Sequence, residues 1–316
     1  MHKIKLLGIA VSLALAIVLV FYYYQNNSIS IFETCKLPPL FEEGFDIIIV
    51  AGQSNAIGYG KGPYEDLQIP NEQSQIFQIG RGGSNDGKII PAHEQLDHWS
   101  KLKDNTGVGF AMTFARQYAR KLRAPNRRIL LVPAAHNGTD ILLWSVPRSL
   151  EEPTLYTKLY FDMILRTRSA LQASAAVPQR NRVVAVLWHQ GEANLSAMIR
   201  NQLSESGKTV PNPAAYEPRL VQLIQSLRKE FSERLPFLMG QVMPDSDADH
   251  PIRKEFDQRL ETLAKRIPCV AFVSSNGLKS NSDFDPALKD GDHFSAKSMV
   301  EFGRRYFNAY VAMVEL

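Results

Sequence analysis

Ser54 stands directly after the aliphatic run Asp46-Ile47-Ile48-Ile49-Val50, in the order Ala51-Gly52-Gln53-Ser54-Asn55. A hydroxyl just past a strand end, behind a glycine that permits a sharp turn, is well placed as a nucleophile. The backbone N–H groups that follow can face an oxyanion. The same serine can also cap the next helix. Near the other end of the chain, Asp290-Gly291-Asp292-His293 precedes a helical stretch. That spacing lets the Asp290 carboxylate hold one imidazole nitrogen of His293 while the other faces a serine. The acidic residues can also complement a positive helix end.

Two further segments break from aliphatic to polar in the same way. One reads Val132-Pro133-Ala134-Ala135-His136-Asn137-Gly138-Thr139. Gly138 can bring a backbone N–H close to a substrate oxygen, or Asn137-Gly138 can be an ordinary turn. The other reads Leu187-Trp188-His189-Gln190-Gly191-Glu192-Ala193-Asn194. The Gln190 amide can donate to developing negative charge, and Glu192 can position a neighbour. Each block has a bland structural reading. Jointly, a nucleophile, two oxyanion donors and an acid–base pair fall at strand C-termini, in an order that permits one convergent site.

The elements that must hold these blocks follow from periodicity. Besides 46–50, strands are expected at 75–79, 128–132, 182–187, 237–242 and 270–274. Helices are expected at 109–122, 156–175, 214–231, 252–266 and 296–314. Short β-branched runs alternating with helical stretches imply βαβ units and a mainly parallel sheet, with helices on both faces. In such folds the site lies outside the carboxyl ends of the strands.

Together the four blocks resemble the SGNH (GDSL-like) hydrolase superfamily. More narrowly they resemble its sialate O-acetylesterase-like and acetylxylan-esterase-like branch. The carrying residues are Gly52-Gln53-Ser54-Asn55, Asn137-Gly138-Thr139, His189-Gln190-Gly191-Glu192 and Asp290-Gly291-Asp292-His293. Asp97-His98-Trp99 and Gly109-Phe110-Ala111 point to the sialate-esterase side. The resemblance spans 45–310 and implies an α/β, flavodoxin-like three-layer α/β/α sandwich. It implies Ser54 as nucleophile, His293 as general base and Asp290 as the carboxylate that orients it, with Glu192 as the other candidate. It also implies an oxyanion hole made of the Ser54 N–H, the Gly138 N–H and the Gln190 side chain. Gln190 stands where the wider superfamily has Asn, and Asn137 replaces a glycine frequent in relatives. The implied substrate is an acetylated carbohydrate, O-acetylated sialic acid first and acetylxylan or another glycan otherwise. The implied acyl-enzyme reaction requires no metal or organic cofactor.

Other functions fit less well. A lipase or thioesterase of the same superfamily would not carry the His-Gln-Gly-Glu block. A glycan-binding module without activity would lack Ser54, His293 or the Asp. A nucleotide binder needs a phosphate loop, and Gly58-Tyr59-Gly60-Lys61-Gly62 lacks that spacing. Arg81, after the second expected strand, can meet a sialate carboxylate or lie solvated on the surface.

The chain of 316 residues is 45% hydrophobic and 22% charged, an ordinary globular balance. Its net charge is +4 with no long basic run, so nucleic acid is not an expected partner. His2, Lys3 and Lys5 precede an uncharged stretch, 6–24, that ends in Phe21-Tyr22-Tyr23-Tyr24. That length and aromatic end suit a signal anchor through the membrane; a cleaved signal peptide and a buried helix are the alternatives. Residues 1–24 are thus read as anchor or signal, 25–43 as linker and 44–316 as the esterase-like domain. The body is expected outside the cytoplasm, membrane-anchored or, after cleavage, secreted or periplasmic. Export would permit a disulfide between Cys35 and Cys269. Neither has a metal-ligand spacing with the histidines, so no zinc site is read.

Overall fold

A strand covered on both faces is apolar on both faces, and β1, Gly44–Gly52, is buried along almost its whole length. Ile48 and Val50 pack into one core, while Ile47 and Ile49 pack into another on the opposite side of the sheet. The computed structural model describes residues 35–64, 75–99, 107–121, 126–147, 154–173, 180–200, 212–244 and 249–314. The expected membrane segment lies outside them. No helix among the described residues is long and apolar enough to cross a membrane.

The chain continues through α1 (Ser54–Ile57), β2 (Ile76–Ile79), β3 (Ile89–Pro91), α2 (Phe110–Lys121) and β4 (Arg127–Pro133). Then come α3 (Lys158–Gln172), β5 (Arg182–His189), α4 (Glu192–Arg200), α5 (Pro213–Phe231) and β6 (Phe237–Gly240). The last elements are α6 (Pro251–Arg266), β7 (Val270–Val273), α7 (Asn281–Phe284) and α8 (Ala296–Met313). The sheet order is β3-β2-β4-β1-β5-β6-β7. Every neighbouring pair is parallel except β2–β3, where a short strand closes one edge. The expected three-layer α/β/α sandwich is the architecture found.

Helices α2 and α8 share one core with Ile48 and Val50. Phe110 and Tyr306 stack there with ring centroids 4.5 Å apart. A Cβ on Gly303 would come within 2.4 Å of the Phe110 carbonyl oxygen, so α8 approaches α2 this closely only through glycine. Helices α3, α5 and α6 supply the opposite core with Met163, Tyr216, Leu220 and Phe256.

β1 is the pivot. The chain moves from β1 to the β2–β4 side, then crosses to β5 on the other side. A crevice opens at such a switch point, at the strand carboxyl ends. Registers align those ends: Val50 lies opposite Pro133, and Gly52 lies opposite His189. Three of the four sequence blocks therefore emerge from adjacent strands.

The opposite end of the sheet carries a buried ion cluster. Asp46 accepts hydrogen bonds from Arg127 Nη2 at 2.6 Å, Arg182 Nε at 2.6 Å and Tyr118 Oη at 2.6 Å. Burial pushes the Asp46 carboxyl up, but the bonds and charges of Arg182 and Arg127 outweigh it and hold it below its ordinary value. Arg127 also donates to the carbonyls of Glu43, Phe45 and Arg180, sealing the loops below the sheet. Cys35 and Cys269 form a disulfide, their Cα atoms 5.6 Å apart, and the Cys35 N–H bonds to the Met313 carbonyl. Residues 35–43, the last part of the expected linker, belong to the same compact unit as the sheet.

Two stability predictions follow from this end of the molecule. Arg127→Ala leaves a buried carboxylate short of a partner, and urea unfolding should show a loss of about 3–5 kcal/mol. Replacing both cysteines by alanine releases a link across 234 residues. The melting temperature should fall, with the chain-entropy contribution on the order of 5 kcal/mol at most.

Candidate active site

The turn after β1 is built so that only glycine can make it. Gly52 has φ 128°, and a Cβ there would lie 1.9 Å from the His189 carbonyl oxygen. The Gln53 N–H then bonds to that same oxygen at 2.8 Å, locking the turn to β5. Gln53 is the N-cap of α1 and Ser54 its first residue, so the serine hydroxyl is not the cap. Ser54 is buried at the base of this turn. Gly58, at φ 96°, ends α1 by bonding its N–H to the Ser54 carbonyl.

Asn55 joins this turn to the loop before α8. Its Oδ1 accepts from the Phe294 N–H at 3.2 Å, and its Nδ2 donates to the Asp292 carbonyl at 3.1 Å. His293 lies between those two residues. Its backbone is thus clamped on both sides by the neighbour of Ser54. Asn55 Nδ2 also donates to Glu192 Oε1 at 2.8 Å, so one fully buried amide ties three blocks together.

His293 Nδ1 meets Asp290 Oδ1 at 2.8 Å, and its own N–H donates to the same oxygen at 3.2 Å. A carboxylate on Nδ1 selects the tautomer with the proton there and leaves Nε2 as an acceptor. Asp290 Oδ2 accepts from Asn281 Nδ2 at 2.7 Å. That amide also donates to the Tyr59 carbonyl, while Asn281 Oδ1 accepts from the Lys61 N–H. Burial pushes the Asp290 carboxyl up; the bonds from His293 and Asn281 more than compensate and hold it below its ordinary value. The Tyr59 ring covers His293 with centroids 4.8 Å apart.

Glu192, the other candidate partner of His293, is engaged elsewhere. Its Oε1 sits 2.9 Å from His189 Nε2 and accepts from Asn55. Burial raises its carboxyl, but His189 and Asn55 together hold it below its ordinary value. His189 is wholly buried among Phe110, Phe294 and Phe302.

Gly138 adopts φ 65° at the end of the β4 block, and the His136 N–H ties that block to the Gly52 carbonyl at 2.9 Å. Among the described residues no acceptor pairs with the backbone N–H of Ser54 or of Gly138. Gln190 differs. Its Nε2 donates to the Thr139 carbonyl at 2.8 Å and to Asn194 Oδ1 at 2.9 Å, and its Oε1 accepts from Tyr216 Oη at 2.8 Å. Its two N–H hydrogens serve these acceptors and, through a shared bond at 3.3 Å, Gln53 Oε1, so both end on protein. Gln190 therefore braces the β4 and β5 loops and offers no spare donor in this structure.

Arg81 is neither solvated nor available to a sugar carboxylate. It grips both oxygens of Asp162, at 3.2 and 2.5 Å, and its guanidinium carbon lies 4.9 Å from the centre of the Trp99 ring. Beside it, burial and the charges of Arg81 and Arg166 push His98 down to about 3. Neutral His98 accepts the Ala135 N–H on Nδ1 at 3.0 Å, which fixes the exit of β4. A cavity of about 410 Å³ lies along α3 between Trp99, Lys158 and Arg168, and none of the four blocks lines it.

In the sequence Gln53, Asn55 and Tyr59 stand within quoted motifs without a role, and Asn281 stands in none. Their partners lie up to 239 residues away in the chain.

This geometry agrees with what the sequence matches. Residues 44–312 match the family described as carbohydrate esterase, sialic acid-specific acetylesterase. The chain belongs to this family. A solved Arabidopsis thaliana protein is 25% identical and covers 84% of this chain and 97% of its own, with a TM-score of 0.60. NanS, 19% identical, covers 87% of this chain and 98% of its own, with a TM-score of 0.58, and shares the fold. A curated relative, the homeobox-leucine zipper protein ATHB-14 of Arabidopsis thaliana, is 23% identical over 76% of this chain. The chain spans 26% of the length of that relative.

In this member of the family, Asn55→Ala would strip partners from the Phe294 N–H, the Asp292 carbonyl and Glu192. Each buried group left unpaired costs about 1–3 kcal/mol. Denaturant unfolding should report a loss of about 3 kcal/mol or more in total. A loss under 0.5 kcal/mol would show that the clamp is dispensable.

Proposed function

We propose that the chain is a carbohydrate O-acetylesterase in which Ser54 is the nucleophile, His293 the general base and Asp290 the carboxylate that orients it. The observation that carries this reading is the Asn55 clamp, which ties an Asp290–His293 pair to the turn presenting Ser54. Family membership supports the reaction class. A Ser-His-Asp set works by roles and geometry, and the Asp290–His293 bond supports the roles of orienter and base.

His293 takes the proton of Ser54 Oγ through Nε2 as that oxygen attacks the ester carbonyl. Asp290 keeps the Nδ1 proton in place and stabilises the imidazolium that forms. The backbone N–H groups of Ser54 and Gly138 stabilise the oxyanion; their lack of partners among the described residues supports this role. His293 then gives that proton to the leaving sugar oxygen, which departs as a hydroxyl. Water, deprotonated by the same nitrogen, releases acetate from the serine. No step needs a metal or organic cofactor.

O-acetylated sialic acid is the proposed substrate class, on the family description, with xylan or another acetylated glycan as the comparison. The commitment of Arg81 to Asp162 removes it from carboxylate recognition. The catalytic body is proposed to work outside the cytoplasm, attached through residues 1–24; its disulfide supports an oxidising compartment.

Acetate release from p-nitrophenyl acetate, O-acetylated sialic acids and acetylxylan tests both parts. Ser54→Ala should lower kcat about 10³-fold or more. Undiminished turnover by that variant overturns the mechanism. Preference for xylan over sialic acids would overturn the substrate assignment alone.

A further inference from the structure

Two backbone N–H groups are a small set of donors for a tetrahedral oxyanion, and Gln190, the expected side-chain donor, is committed to Thr139 and Asn194. Gln53 presents what Gln190 lacks. It immediately precedes Ser54, and only 4% of its surface is exposed. Its Oε1 accepts from the Ala193 N–H and from Gln190 Nε2, both at 3.3 Å. Two donors on one atom fix the orientation of the amide, because the flipped form would set N–H against N–H. Nε2 is thereby the outward group. Among the described residues it has no acceptor, and it is not one of the polar atoms sealed from solvent.

The position of this amide matters as much as its free donor. Gln190 bridges Gln53 to the Thr139 carbonyl, next to Gly138, so the Gln53 amide is joined by two hydrogen bonds, through one bridging amide, to the loop that carries the second backbone donor. Asn194 has an unpaired Nδ2 in the same network, but that atom is sealed from solvent and cannot reach a substrate.

Resting on the esterase reading above, we propose that Gln53 Nε2 is the side-chain donor of the oxyanion hole, with Gln190 as the brace that aims it. Ser54 supplies the attacking oxygen and one N–H, Gly138 the second N–H, and Gln53 the third donor. The Gln190–Gln53 bond and the Ala193 N–H prevent the amide from rotating, so it is set before the reaction begins.

The test compares purified wild-type protein with Gln53→Leu, which removes the donor at similar volume, and Gln53→Glu, which keeps acceptors for Ala193 and Gln190. Steady-state hydrolysis of p-nitrophenyl acetate gives kcat and KM. Inhibition by phenylboronic acid reports binding of a tetrahedral adduct on the serine, and thermal melting reports folding. Both variants should lose about 10²–10³-fold in kcat with KM within about threefold, the loss seen when one oxyanion donor is removed. Boronate affinity should weaken in parallel. Retention of kcat within threefold by either folded variant overturns the proposal, as does a change confined to KM. If Gln53→Leu does not fold, Gln53→Glu decides alone. A wild-type protein that cleaves no ester and binds no boronate overturns the esterase reading itself, and this proposal with it.

Discussion

One buried amide sets the geometry on which the rest of this site depends. Asn55 bonds the backbone on both sides of His293, so the loop before α8 cannot shift without breaking two hydrogen bonds to a fully buried amide. Each such bond is worth about 1 kcal/mol net, but an unpaired buried group costs more than the bond gains. The clamp is therefore stiffer than its net energy suggests. It also explains why Ser54 and Asn55 are adjacent. The proposed nucleophile and the residue that clamps its proposed base share one turn of α1.

The sheet makes that turn possible at no cost to the core. β1 is flanked by β4 and β5 at the switch point, and the registers bring their carboxyl ends level. Polar groups concentrate there, while the opposite end of the same strands holds Asp46, Arg127 and Arg182 in a fully bonded cluster. A strand as apolar as β1 can carry polar chemistry only at its ends. One end is closed by ions that satisfy each other, and the other is left with N–H groups that have no partner among the described residues.

The fold was legible because its signals are local. β-branched runs marked six of the seven strands, and helical periodicity marked the five long helices to within three residues at each end. The strand Ile89–Pro91 was not legible, since three residues at a sheet edge carry no period. α4 was hidden because its first turn lies inside the polar block 189–194, which reads as a loop. Within the site, the Asp290–His293 contact was legible because both partners lie within one turn. The Asn55 clamp was not, because amide side chains carry no spacing rule for partners more than two hundred residues away. Nor could the sequence show that Gln190 is saturated, which requires Thr139, Asn194 and Tyr216 to arrive from three different elements.

Two carboxylates lie near one histidine, and the bonding separates their contacts through the same amide. Asp290 contacts His293 directly and sets its tautomer. Glu192 contacts Asn55 and the buried His189. Its influence on His293 therefore runs through Asn55, whose orientation it helps to fix. The Nδ2 of Asn55 must point at Glu192 and the Asp292 carbonyl, so Oδ1 must point at the Phe294 N–H. Swapping the two atoms would set a carbonyl oxygen against a carboxylate and two N–H groups against each other. A carboxylate one contact removed from the histidine can thus be needed for its placement without sharing its proton.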